Sequence, residues 1–156
     1  VAIPILSLTD SDQVRAVLGL SSRDVDDQFF IDRKADRELR LALFEWFPNY
    51  ASEYSSWTAN ASANQEKIDL LESYATYQTA YIISSGLSMM ALQKISDSKF
   101  TAARFEGIDL DSISELMRSK ANQLKTRLQE VLGTAPDGPV NVFSSVAPGY
   151  DPVTGE

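Results

Sequence analysis

The sequence predicts an all-α fold: a small helical bundle of about four helices, one of them long and buried, followed by an extended C-terminal tail. Three observations carry that prediction. Apolar residues recur at helical spacing in several stretches bounded by capping residues, glycine or proline. Residues 73–93 hold no charged side chain, as expected of a helix that is packed on most sides. Beyond Gly133 the composition turns to proline, glycine and scattered hydrophobes, which no helix tolerates. The organisation that follows is an extended segment over residues 1–8, a helical bundle over 9–133 and a tail over 134–156.

Taken in order, Thr9-Asp10-Ser11-Asp12 places caps and first-turn acids before Val14, Val17 and Leu18, and Gly19 stops the stripe, which predicts a short first helix. Ser21 and Ser22 then cap a second, longer helix, with Asp24 three residues after Ser21 as in a capping box, and Pro48 ends it. Along it Val25, Phe29, Leu39, Leu43 and Trp46 form the core face, while Arg33, Lys34, Asp36, Arg37 and Arg40 form a wet face with local pairs such as Asp36 to Arg40.

Residues 49–65 read as a short helical turn with Tyr50, Tyr54 and Trp57, then a flexible connection. The third helix runs from about Gln65 to Ile95 with two apolar stripes, one of Ile68, Leu71, Ala75, Ile82, Met89 and Leu92, the other of Leu70, Tyr74, Tyr77 and Tyr81. Thr76, Gln78, Thr79, Ser84, Ser85 and Ser88 would be costly in lipid, so no membrane span is expected. A base-stacking platform interleaves its rings with cations, and no Lys or Arg lies between Lys67 and Lys94, so the tyrosines read as core or subunit contact. Residues 97–109 form a connection whose pairing is left open. Asp109 and Asp111 open the fourth helix, with Ile113, Leu116, Met117, Leu124, Leu128 and Val131 at core spacing and Gly133 as its end.

The tail holds three acids and no base, yet Val140, Val142, Phe143, Val146, Tyr150 and Val153 are spread along it. Pro139-Val140-Asn141-Val142-Phe143 alternates like a short strand, so the expectation is a segment that orders on a partner.

Composition narrows the chemistry. Of 156 residues 22 are acidic and 14 basic, and none is His or Cys. That removes thiolate nucleophiles, imidazole or thiolate zinc sites, disulfides and every His-dependent triad. A net charge of −8 argues against gripping phosphate backbones. Asp24 and Asp27, taken as i,i+3 on one helix, can in principle hold Mg²⁺ or act as an acid and base pair, but first-turn acids need no such role. No phosphate loop or dinucleotide fingerprint occurs. The expectation is no enzyme, no cofactor and no metal. The amino-terminal residues 1–6 also lack the basic flank and length of a secretory signal, so no export is expected.

The order of parts carries a resemblance: the capped Val14-Arg15-Ala16-Val17-Leu18-Gly19-Leu20, Asp26-Asp27 before a long amphipathic helix, Ser84-Ser85-Gly86-Leu87 inside a weakly charged helix, Ile95-Ser96-Asp97, a last helix and an apolar-spotted tail. This arrangement resembles the head-tail connector, or adaptor, proteins of tailed bacteriophages. The resemblance implies a structural virion protein, present in host cytoplasm during assembly, that forms a dodecameric ring beneath the portal protein and meets a tail or neck protein below. It implies that DNA passes through the ring without specific binding, and that the tail, through Pro139, Val140, Val142, Phe143, Val146 and Tyr150, anchors to the portal. Trp46, Phe47, Tyr50, Tyr54 and Trp57 are the expected subunit interface, and Asp24, Asp26 and Asp27 the expected channel-facing acids. Arg33, Arg37 and Arg40 fit an acidic neighbouring subunit equally well. The alternative is a non-viral helical interaction module acting through the same tail.

Overall fold

The structure, a computed structural model, describes residues 2–94 and 109–133, and the side chains of 2–87 and 109–133. The chain is all-α there apart from one two-stranded hairpin: β1 Pro4–Ile5, β2 Thr9–Asp10, α1 Ser11–Leu18, α2 Asp27–Asp32, α3 Ala35–Phe44, α4 Tyr50–Ala59, α5 Ala61–Lys94 and α6 Leu110–Leu132.

Residues 2–8, read from sequence as an extended lead-in, make β1 and the turn before β2, with Pro4 opposite Asp10 and Ile5 opposite Thr9. Strands of two residues leave no alternation to read. Ile5 and Leu8 are buried in the same core as the helices, worth about 1.5–3 kcal/mol each. The hairpin is tied to α1 by the Ile3 amide donating to Ser11 Oγ at 2.9 Å, and to α5 by the Thr9 and Thr76 hydroxyls at 2.8 Å. Its turn puts Leu6 and Ser7 at φ 51° and 58°, a left-handed conformation that non-glycine residues seldom hold.

The first helix forms where its caps place it. Asp10 accepts from the amides of Asp12 and Gln13, and Gly19 closes α1 at φ 67°. The expected long second helix is two short ones. The Ser21–Asp24 cap forms, with Ser21 Oγ donating to Asp24 Oδ2 at 2.6 Å, but its turn ends at Val25. Asp26 then caps α2 by accepting from the Gln28 amide. Lys34, at φ 51°, separates α2 from α3. The core decides this break: Phe30 and Ala35 are five residues apart, well off one helix face, yet both are buried with Leu39 and Leu43. Arg33 fixes the bend, as its Nη2 donates to the Gly86 carbonyl at 3.0 Å and its guanidinium lies over the Phe29 ring.

The expected flexible connection before the third helix is absent. α4 reaches Ala59 and α5 starts at Ala61, so only Asn60 interrupts helix. α5, 34 residues and about 50 Å long, is the hub and touches β2, α1, α3, α4 and α6. Ile68, Leu71, Tyr74, Ala75, Ala80, Ile83 and Leu87 are buried along it, and Ile83 takes the place expected of Ile82. Thr76, Thr79 and Ser84 are buried with them. Thr76 and Ser84 return their hydroxyls to carbonyls of the preceding turn, while Thr79 Oγ1 has no partner among the described residues. No helix among the described residues is long and apolar enough to cross a membrane.

α6 is capped by Asp109, which accepts from the Ser112 amide, and closed by Gly133 at φ 67°. Its buried face is Leu110, Ser114, Met117, Ala121 and Leu128; Leu116, expected in the core, is one position off that face and exposed. Arg127 pairs with Glu66 at 3.1 Å, so α6 runs antiparallel to α5 and ends beside the start of α5. Residues 97–108 of the expected connection, the side chains of Met89 and Leu92, and the whole tail lie outside the described residues.

Candidate assembly surface

The three acids expected to face a channel gather around the start of α2, each with a local task. Asp24 accepts from the Ser21 amide and hydroxyl, Asp26 caps α2, and Asp27 meets Arg15 at 2.6 Å. They do not share one helix: Asp24 lies in the turn before α2, whereas Asp27 is its first residue. The i,i+3 pairing proposed for chemistry therefore does not form, and no cluster of metal-ligating side chains occurs among the described residues. The hydrogen bond from Arg15 holds the Asp27 carboxyl below its ordinary range.

Arg15 is the residue sequence reading passed over. Its side chain is only 6% exposed, with Nε donating to the Val25 carbonyl at 2.9 Å, Nη1 reaching Ser11 and Asp12, and the guanidinium 5.0 Å from the Phe30 ring centroid. One buried cation thus organises the junction of α1 and α2. The available signal was its position, one residue after Val14 on a helix whose neighbouring turn had to be buried.

Of the five aromatics expected at a subunit interface, two are buried in the chain's own core and three are partly buried against it. Trp57 is 3% and Tyr50 8% exposed, both inside the chain's own core. Phe47 bridges Trp57 to Trp46, stacking on Trp57 at 5.8 Å and on Trp46 at 5.6 Å. Trp46 donates from Nε1 to the Tyr74 hydroxyl at 3.2 Å and meets that ring edge-on. Tyr54 donates to Glu72 at 2.6 Å; desolvation first, and then this carboxylate, push its hydroxyl up to about 12. Burial likewise raises Tyr74. Lys67 and Lys125 lie over the Trp57 and Trp46 rings, closing the corner from outside. These contacts fasten the α3–α4 corner onto α5, with Trp46, Phe47 and Tyr54 left partly exposed.

The spare apolar surface lies on the opposite face of α3. Leu41 and Phe44 are 54% and 49% exposed, and Ile31 at the end of α2 is 54% exposed. Arg37, Arg40, Leu41 and Phe44 recur at i, i+3, i+4 and i+7, so they form one outward stripe, while Ala35, Leu39 and Leu43 point to the core. Lys34, Arg37 and Arg40 make no ion pair among the described residues, and the expected Asp36–Arg40 pair is absent there. The bend at Lys34 also opens a groove of about 380 Å³ between the hairpin and the α2–α3 junction, floored by Ile3, Ile5 and Phe30 and rimmed by Leu6, Lys34 and Arg40. The portal-binding residues expected in the tail, Pro139 to Tyr150, lie outside the described residues.

Comparison of the chain with protein-family models, curated proteins and solved structures finds no match in any of the three.

Proposed function

We propose that the chain is a structural virion protein, a head-tail connector that assembles as a ring under the portal protein of a tailed phage, extends the DNA channel and receives a tail or neck protein below. The observation that carries the reading is a free surface built for contact rather than for turnover: the outward stripe of Arg37, Arg40, Leu41 and Phe44, continued by Ile31 and Lys34. Such a patch, apolar at its centre and charged around it, marks a protein contact. The acid excess supports the same reading, since DNA must slide along a connector wall without being held. In this reading the tail, through Pro139, Val140, Val142, Phe143, Val146 and Tyr150, anchors to the portal, and the acids at the start of α2 are the candidate channel wall.

The experiment is binding of the chain to rings of the portal protein from the same genome, with and without residues 134–156. The full chain is expected to bind and the shortened one to lose most of its affinity. Equal affinity of the two would remove the tail's assigned role.

A further inference from the structure

The groove beside the hairpin has an occupant written in the same sequence. We propose that the groove lined by Ile3, Leu6, Phe30, Ile31, Lys34 and Arg40 receives the acidic, apolar-spotted segment of residues 137–151 from a second copy of the chain. This goes beyond the connector reading and does not depend on it, because it concerns the chain with no other protein present; on a portal ring the same segment would exchange the groove for the portal.

The chain carries a net charge of −8, yet the groove rim brings Lys34 and Arg40 together, with Arg37 on the adjoining stripe, and only Asp36 to oppose them. Residues 134–156 hold Asp137, Asp151 and Glu156 and no base, so the tail is complementary in charge to the rim. The groove floor is apolar, and the tail offers Val140, Val142 and Phe143 between Asp137 and Asp151. An extended chain with alternate apolar side chains is the shape that fits a slot flanked by a short strand.

The length of chain after Gly133 favours the groove of a second copy. The Arg127–Glu66 pair and the antiparallel course of α6 place Gly133 near the level of Asn60 on α5. The groove elements are fastened to α5 further along, at Thr76 through Thr9 and at Gly86 through Arg33. At 1.5 Å per residue that is about 24–39 Å along the helix. Val140 is seven residues beyond Gly133 and reaches at most about 25 Å when fully extended, before any path around the helix is counted. Val140 therefore meets its own groove only at full stretch, and Phe143, at most about 36 Å from Gly133, meets only the nearer part, whereas a neighbour's groove carries no such limit. A head-to-tail contact of this kind joins two different surfaces and so builds rings or filaments rather than closed pairs.

The turn at the groove edge adds a third observation. Leu6 and Ser7 both hold left-handed backbone without glycine, and Leu6 lines the groove. Unfavourable backbone of this kind persists where the surroundings fix it, often beside a ligand.

Sedimentation velocity of the full chain alone tests the proposal. The unaltered chain is expected to self-associate with rising concentration and less so at high salt. Lys34→Glu with Arg40→Glu, and separately Asp137→Lys with Asp151→Lys, are each expected to weaken association by about tenfold or more, and the four changes together to recover most of it. Ile31→Ser, at an exposed position, tests the apolar half and serves if the doubly reversed groove does not fold by circular dichroism. A chain that stays monomeric up to the highest soluble concentration overturns the proposal, as does association that neither charge pair nor Ile31→Ser alters. Binding to the portal is absent from this assay, so its failure leaves the connector reading to its own test.

Discussion

Nη2 of Arg15 lies 2.6 Å from Oδ1 of Asp27, twelve positions along the chain, and Nε of the same guanidinium donates to the Val25 carbonyl. α1 and the start of α2 are thereby joined through one buried cation. Removing that cation leaves the Val25 carbonyl unpaired and strips the Phe30 ring of its cover. Arg15→Ala is expected to destabilise the fold by about 3 kcal/mol, and Arg15→Lys by a large part of that, because an ammonium cannot reach all of these acceptors in the guanidinium's fork geometry. Urea denaturation of the two variants checks this. A loss under about 1 kcal/mol for Arg15→Ala contradicts the assignment.

Two depressed carboxyls contribute to the acid limb of stability. Asp27 is depressed chiefly by its hydrogen bond from Arg15, and Asp109 chiefly by the Ser112 hydroxyl. A carboxyl with a folded pKa below its unfolded value contributes stability above the unfolded value, near 3.8, and loses it as the pH falls through the folded one. With no His or Cys, few groups titrate between about pH 5 and 8, so the urea midpoint is expected to be flat there and to fall below about pH 4. Tyr54 acts in the opposite sense. Its folded pKa is raised to about 12, so its contribution is present at neutral pH and is lost as the pH climbs from about 10 through that value. Asp27→Asn and Tyr54→Phe are expected to flatten the acid and alkaline limbs respectively, and unchanged limbs in both variants would count against these pairings.

Two aromatic residues separate core from contact surface. Trp57→Ala opens a cavity against Phe47 and is expected to cost about 3–5 kcal/mol. Phe44→Ser, on the outward stripe, is expected to change stability by less than about 1 kcal/mol while weakening self-association. Thermal melts and sedimentation of both variants check the assignment; the reverse pattern would return the interface to the aromatic corner.

Gly86 lies under Arg33. A Cβ there meets the Arg33 guanidinium at 2.8–3.0 Å, and the guanidinium is the far end of a flexible side chain. Gly86→Ala gains up to about 1 kcal/mol of helix propensity and weakens a hydrogen bond of about the same worth, so stability is expected to stay nearly constant. Gly86→Leu cannot be met by the same small shift and is expected to destabilise the bend between α2 and α3. Denaturation curves of the two variants test the Arg33 contact, and equal stability of both would show that it does not hold the bend.

Local signals were legible and tertiary ones were not. The caps at Asp10 and Asp109 and the stops at Gly19 and Gly133 are properties of a few adjacent residues, and the ends of α1 and α6 follow from them. The break at Lys34 depends on where Phe30 and Ala35 must point once α5 is in place, and on a carbonyl at Gly86 far along the chain. The helical start at Ala61 was obscured because the small polar residues 58–64 read equally as a loop or as a helix with little to pack. The aromatic corner was visible as a cluster, but its direction was not, since Trp46, Phe47 and Trp57 find their partners in one another and in Tyr74. The outward stripe at Arg37, Arg40, Leu41 and Phe44 has readable spacing, and it was masked by the assumption that one helix has one apolar face.

Assembly on a portal is tested most directly by electron microscopy of the full chain mixed with portal rings from the same genome. The connector account predicts a second ring of density stacked coaxially beneath the portal, with the channel continuing through it. Portal rings that remain bare in the presence of excess folded chain would contradict it.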